Sequence, residues 1–460
     1  MGNTKKKEEA IMRKKLLSFV LASVMLFNLT ACGLGNETEN NQTADNAQNN
    51  NQTDDNQNEN SNNSKDSDTI TVWAWDESFN IPAANAAAEV YKKDNPDVNV
   101  NVVTMAQDDI VAKLNTALSS GTYDGLPNIA LIEDYRIQGY LNAYPDEFAD
   151  LSSVISAGDF AAYKTGVNQI NGKIYGVPFD SGVAALFYRK DIIEEAGYKE
   201  KDMQDLTWDK YIEIGKTVKE KCGVDWLTLD PSDLGQLRMM MQSAGAWYTD
   251  EDGNVNIKDN EALACAIGVY KKLMDSGFVK QVSDWDQFVG AFNNGDVATV
   301  FTGCWIAPSI RNAQDQSGKW AVASFPKMSE IKDSVNASSI GGAGWYVLKN
   351  VGHEKTAVDF LGKTFGSNAD LMYKLGDEIS LIPTLNAASD YSKNDEYFGG
   401  QDVVSDLIDW TAKVPTVNYG QNTYAIEDIM TEALQEILNG ADIKETLAAY
   451  QGTIEAAVAQ

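Results

Sequence analysis

From residue 69 onward, polar and apolar side chains follow two alternating periods. Thr69-Ile70-Thr71-Val72-Trp73-Ala74-Trp75 has the two-residue alternation of a strand, and 82–94 has helical composition with an apolar face. Asn95-Pro96 stops that helix, and Val98-Asn99-Val100-Asn101-Val102-Val103 returns to the strand period. The same rhythm predicts a helix over 109–119, a strand over 127–132 and a short helix over 136–143. Further on it predicts strands at 183–188, 297–301 and 344–349, with helices at 209–221, 262–276, 357–365, 424–438 and 443–458. Strand, helix, strand at this spacing means βαβ units, an α/β class and a mostly parallel sheet. No internal repeat interrupts it.

The residues ahead of this pattern do not belong to it. Lys5, Lys6, Lys7, Arg13, Lys14 and Lys15 precede an apolar run from Leu16 to Leu29, too short for a confident membrane span, so residues 1–31 read as a secretory signal. The run closes on Leu29-Thr30-Ala31-Cys32-Gly33, which resembles the bacterial lipobox, with Cys32 as the lipidated first residue of the mature chain. Residues 32–68 are Asn, Gln, Asp, Glu, Ser and Thr with hardly an apolar side chain. Such a segment cannot bury enough surface to offset its ordering entropy, so it is expected to be a disordered tether. It would span on the order of 30–36 Å as a coil.

Charge and rare residues then remove whole function classes. The 460 residues carry 37 Lys and Arg against 67 Asp and Glu, a net charge of −30, which repels nucleic acid and anionic lipid headgroups alike. A single His, His353, leaves no multi-His zinc site and makes any Ser/His/Asp or Cys/His catalytic arrangement depend on one residue. Gly-Lys-Thr at 362–364 ends like a phosphate loop, but Ala357 stands where that motif needs glycine. Gly341-Gly342-Ala343-Gly344 lacks the third spaced glycine of a dinucleotide fingerprint. Asp250-Glu251-Asp252-Gly253-Asn254 half resembles a calcium loop, yet Val255 holds its glycine position, so Gly253 reads as a hairpin turn. Cys222, Cys265 and Cys304 leave one disulfide plus a spare thiol, or three free thiols, and no metal site is expected from them.

What remains is aromatic supply beside polar residues at strand ends, where ligands bind in open α/β sheets. Trp75, Asp76, Phe79 and Asn80 follow the first strand, and Asp134 and Tyr135 follow the strand at 127–132. Asp180 follows Val177-Pro178, while Trp247, Trp305, Trp345 and Tyr419 recur near Gly or Pro. Carboxylates and amides there would bond hydroxyls, and flat rings would cover the apolar faces of a pyranose. Core packing competes for each ring, and helix capping or pairing with Arg136 or Arg189 competes for Asp134 and Asp180.

At this point the chain resembles the extracellular sugar-binding lipoproteins of ABC importers, the family of maltose- and oligosaccharide-binding proteins. The resemblance rests on Asn171-Gly-Lys-Ile-Tyr-Gly-Val-Pro-Phe-Asp180 followed by Leu186-Phe-Tyr-Arg-Lys-Asp191, similar to the family's hairpin and first passage between lobes. Phe288 to Trp305 resembles its helix, Gly-Asp turn and strand ending in a stacking Trp. Ser338 to Gly344 and Leu381-Ile-Pro-Thr384 resemble the second and third passages. The resemblance implies a two-lobed periplasmic-binding-protein-like α/β fold with three inter-lobe crossings and a ligand cleft, and it adds Gly342 to the candidate site. Lobe one is expected at 69–180 plus 341–382 and lobe two at 181–340 plus 383–460. It further implies a monomer without cofactor or metal, lipid-anchored through Cys32 at the outer face of the cell membrane. That monomer would capture a neutral oligosaccharide and deliver it to the permease subunits of an ABC transporter by hinge closure, without bond chemistry. A surface glycoside hydrolase with paired carboxylates, or a static glycan-binding adhesin, is the alternative.

Overall fold

A computed structural model describes residues 68–459. The signal, Cys32 and the tether lie outside the described residues, except that Asp68 already opens the first strand. No described helix is long and apolar enough to cross a membrane.

The strands that build the molecule are, in chain order, β1 (Asp68–Ala74), β2 (Val98–Thr104), β3 (Ile129–Glu133), β4 (Gly176–Pro178), β5 (Val183–Arg189), β6 (Asp225–Leu229), β7 (Val279–Gln281), β8 (Val297–Gly303), β9 (Trp320–Ser324), β10 (Ser338–Ser339) and β11 (Ala343–Val347). Among the described residues they form a five-stranded sheet, β2-β1-β3-β11-β4, and a six-stranded sheet, β9-β5-β8-β6-β7 with β10 against β5. Each sheet is the centre of one lobe.

Neither sheet is mostly parallel, which corrects the expectation from the βαβ rhythm. In the first sheet β1 runs parallel to β2 and β3, but β11 is antiparallel to both β3 and β4. In the second, β6 is parallel to β7 and β8, whereas β5 is antiparallel to β8, β9 and β10. The cause is the traffic between lobes. A strand entering from the other lobe starts at the carboxyl ends of the parallel strands and so runs against them: Ala343 begins β11 opposite Glu133 at the end of β3, and Ala184 sits near the start of β5 opposite Gly303 at the end of β8.

Three passages connect the sheets. The chain crosses between Pro178 and Val183, returns between Ser339 and Ala343, and crosses again around Pro383, which bridges to Asp180 while Ala161 N donates to Thr384 O (2.9 Å). The first two lie against each other, with Gly182 at φ +58° and a Cβ there falling 2.8 Å from Ile340 O, so only glycine fits.

Helices cover both sheets: α1 (Asn80–Lys92), α2 (Gln107–Ser120), α3 (Asp134–Ala143), α4 (Ala162–Val167), α5 (Trp208–Cys222), α6 (Gly235–Ser243), α7 (Glu261–Met274), α8 (Trp285–Asn293), α9 (Glu354–Lys363), α10 (Ala369–Ile379), α11 (Val403–Thr411), α12 (Thr423–Leu438) and α13 (Ile443–Val458). The expected α1, α2, α3, α5, α7, α9, α12 and α13 hold to within a few residues, α8 is implied only by the resemblance at Phe288, and α4, α6, α10 and α11 are not expected from the pattern. Of the others, α6 escaped periodicity because all nine of its residues are buried, leaving no polar stripe. The first lobe packs Ile70, Val72, Leu131 and Trp345 against Phe360 and Leu375. The second packs Val183, Phe187 and Trp320 on one side and Leu186, Trp208 and Trp226 on the other. The hairpin turn at Gly253 forms as expected, with Asp250 N donating to Asn254 O (2.9 Å). Cys222, Cys265 and Cys304 are free thiols, and only Cys304 is fully buried.

Candidate functional site

Between the lobes lies a cleft of about 890 Å³. Its first wall is the loop that leaves β1. Asn80, buried at the start of α1, turns its Oδ1 back to accept from Trp75 N (3.0 Å) and Asp76 N (2.9 Å), and Asp76 Oδ1 accepts from Ser78 N (2.7 Å). That local pinning holds Trp75, Asp76 and Phe79 on the cleft surface, with Phe79 packed against Phe179 at 5.5 Å. Gln107 at the start of α2 and Glu133 at the end of β3 complete this wall.

The second wall belongs to lobe two. Trp305 follows β8 and donates from Nε1 to Ile340 O (3.2 Å), so its ring lies across the second passage. Trp285 and Phe288 stand beside it on α8, and Asp230, Asp233, Gln236 and Arg238 come from the end of β6 and the start of α6. At the base lie Phe179, Asp180 and residues 340–343 of the passages themselves.

Charge in the cleft is lopsided. Asp76, Glu133, Asp180, Asp230, Asp233 and Asp284 face a single guanidinium, that of Arg238. Arg238 is already engaged, 3.2 Å from Asp233 and 3.3 Å from Glu427, with its charge over the Tyr135 ring at 5.0 Å. Its Nε makes no well-aligned hydrogen bond, so the Glu427 pair is held by charge rather than by geometry. An anionic ligand would meet net repulsion here; a neutral, hydroxyl-rich one meets acceptors and flat rings.

The structure thus places Trp75, Asp76, Phe79, Asn80, Asp180, Trp305 and Gly342 on the cleft and brings them together. Asn80 acts there by holding the loop. Five other candidates go elsewhere. Asp134 is fully buried, its carboxylate taken by the ammonium of Lys164, which also donates to Ala343 O (3.3 Å). The partner is a buried lysine rather than either arginine; Arg136 pairs with Glu133 and Arg189 with Asp191. Burial pushes the Asp134 carboxyl up to about 6 against the pull of Lys164, and burial raises the Asp180 carboxyl as well. Gly342 sits over this pair at φ +85°, where a Cβ would fall 2.8 Å from Lys164 Nζ.

Tyr135 stacks on Trp247 (5.3 Å, 29°) and accepts at its hydroxyl from Gly341 N (3.1 Å). Trp247 Nε1 donates to Thr423 Oγ1 (3.0 Å), and the Tyr419 hydroxyl accepts from Gln242 Nε2 (2.9 Å). All three rings are buried, their polar atoms already paired within the protein. Trp345 is fully buried in lobe one, stacked on Phe365 at 5.1 Å. None of the five lines the cleft. Conversely, Asp230, Asp233, Asp284 and Trp285 do line it although the sequence reading passed over them. Each follows a strand end, β6 or β7, so the strand-end rule would have found them had those two short strands been recognised. Among the described residues no group of His, Cys, Asp and Glu is placed to hold a metal ion.

Residues 86–399 match the model of the bacterial extracellular solute-binding proteins, and the chain belongs to that family. It is a binding protein rather than an enzyme. It is 41% identical over 385 residues to a lactose-binding protein of Rhizobium radiobacter, covering 83% of this chain and 91% of the relative. It is 26% identical over 407 residues to an arabinooligosaccharide-binding protein of Halalkalibacterium halodurans, covering 85% and 86%. Its fold is shared with the sugar-binding protein MalE of Xanthomonas citri, at a TM-score of 0.70, 18% identity and coverage of 85% of this chain and 97% of that one.

Proposed function

We propose that the chain captures a neutral oligosaccharide between its lobes and presents the closed complex to the permease subunits of an ABC importer. The observation that carries this reading is the cleft itself: indole rings on both walls, Trp75 and Trp305, set among carboxylates at the carboxyl ends of strands from both sheets. A saccharide offers what that surface lacks, apolar ring faces for the indoles and hydroxyl donors for Asp76, Asp180 and Asp230. Because it would touch both walls, its binding free energy favours the closed arrangement over the open one. The same proposal sets the lobes at 69–180 plus 341–382 and 181–340 plus 383–460, a reading supported by the division of the strands between two sheets. A monomer tethered through lipid on Cys32 at the outer face of the membrane completes the proposal, supported by the pattern ahead of Gly33.

The lactose-binding relative makes lactose the first ligand to try, followed by arabino- and malto-oligosaccharides. Calorimetric titration of the full chain is expected to give 1:1 binding to at least one neutral oligosaccharide; a dissociation constant around 1 μM corresponds to about −8 kcal/mol, within reach of a few bonds and two stacked rings. New reducing ends appearing during incubation would instead mark a hydrolase and overturn the reading.

A further inference from the structure

The cleft mouth holds a side chain that folding alone does not explain. Trp285 is 52% exposed, the most open large apolar residue among the described ones, with Val335 next at 37%. Its position is not accidental slack. It is the first residue of α8, whose N-cap Asp284 accepts from Gln287 N (2.8 Å), so the helix start is clamped. One ring face stacks on Phe288 (5.6 Å, 21°), its i+3 neighbour, and the ring lies 5.9 Å from Trp305 at 43°. An indole braced on one face and wet on the other, beside the cleft-lining carboxylate of Asp284, is a prepared surface rather than a core residue that failed to bury.

We propose that Trp285, with Asp284, forms an outer saccharide subsite at the cleft mouth, one ring unit beyond the sugar on Trp305, and that this subsite makes affinity rise with chain length. The proposal rests on the saccharide reading above. The spacing of the two indoles is comparable to that of neighbouring rings in a glycosidic chain, and the change of ring plane between them suits a linkage that turns. A monosaccharide on Trp305 does not reach Trp285; a longer chain does.

The test is calorimetric titration of the full-length chain and its Trp285→Ala and Trp285→Phe variants with galactose, lactose and galactosyl-lactose, and with arabinose, arabinobiose and arabinotriose. In a series that binds, wild-type affinity should rise by about fivefold or more from the shortest to the longest member. Trp285→Ala should erase that gain, weakening the longest sugar about tenfold while changing the shortest by less than about twofold. Trp285→Phe should restore most of it. The melting temperatures of the unliganded variants should match the wild type, since the ring is half in water. Equal losses at every length, or no loss at any, would overturn the outer subsite while leaving saccharide capture intact. Absence of wild-type binding throughout both series, and of binding to glucose, maltose and maltotriose titrated in the same way, would remove the saccharide reading and the subsite with it.

Discussion

Two clusters in this molecule use the same residue types between the same two lobes, yet one is closed and the other open. Around Tyr135, the rings of Trp247, Tyr419 and Tyr424 meet the Arg238–Glu427 pair, and their polar atoms find partners in the protein: Tyr424 donates to Glu133 (2.7 Å) and Tyr248 to Glu427 (2.9 Å). Along the cleft, Trp75, Trp285 and Trp305 lie partly in water beside Asp76, Asp230 and Asp284. The first cluster joins the lobes through ring contacts within the protein, while the second leaves ring faces and carboxylates open to the cleft. Residue type does not separate the two; saturation of hydrogen bonds and ring faces does.

The contrast can be broken most forcefully at Lys164, the one cation between two buried acids. Lys164→Met leaves Asp134 and Asp180 uncompensated and is expected to cost about 3–5 kcal/mol in urea unfolding at pH 7, with adding Asp134→Asn recovering much of the loss. Trp345→Ala, which empties a fully buried site, should cost a similar ~3–5 kcal/mol of stability. Trp305→Ala sharpens the comparison from the other side: the same residue type, but about 1–3 kcal/mol lost from saccharide binding in calorimetry with the unfolding curve nearly unchanged.

That pair of tryptophans also marks how far the sequence could be read. Alternation at 69–75 and 98–103 and the helices from 424 to 458 were legible because each element has one polar face, and Asn171 to Asp180 with its relatives placed the crossings in order. The cleft loop from Trp75 to Asn80 was legible through the strand-end rule. Asp134 was not, because the ammonium that neutralises it lies thirty residues away on α4, and nothing local distinguishes a carboxylate facing solvent from one facing a buried lysine. Trp247, Trp345 and Tyr419 failed for the same reason: their partners Thr423, Phe365 and Gln242 are distant in sequence. The antiparallel strands β5 and β11 depend on the direction of arrival from the other lobe, which strand periodicity does not encode.

A smaller effect follows from the same buried acid. The Asp134 carboxyl, raised by burial from 3.8 to about 6, binds its proton more tightly in the folded chain than in the unfolded one. Its contribution to stability is therefore complete below about pH 3.8 and lost as pH rises through about 6, and Asp180, raised in the same direction, adds to it. Comparing urea unfolding of wild type and Asp134→Asn at intervals from pH 4 to 7 should show the decline across that window in the wild type and a flatter profile in the variant.

The central claim is that the open cluster becomes a joining surface when a saccharide fills it. Small-angle scattering of the full chain, measured free and saturated with a sugar that calorimetry shows to bind, tests this directly. A smaller radius of gyration in the saturated sample, accompanied by a melting temperature that rises with ligand concentration, is the predicted result. Saturating, tight binding with an unchanged radius would contradict closure, and with it the mechanism proposed for delivery.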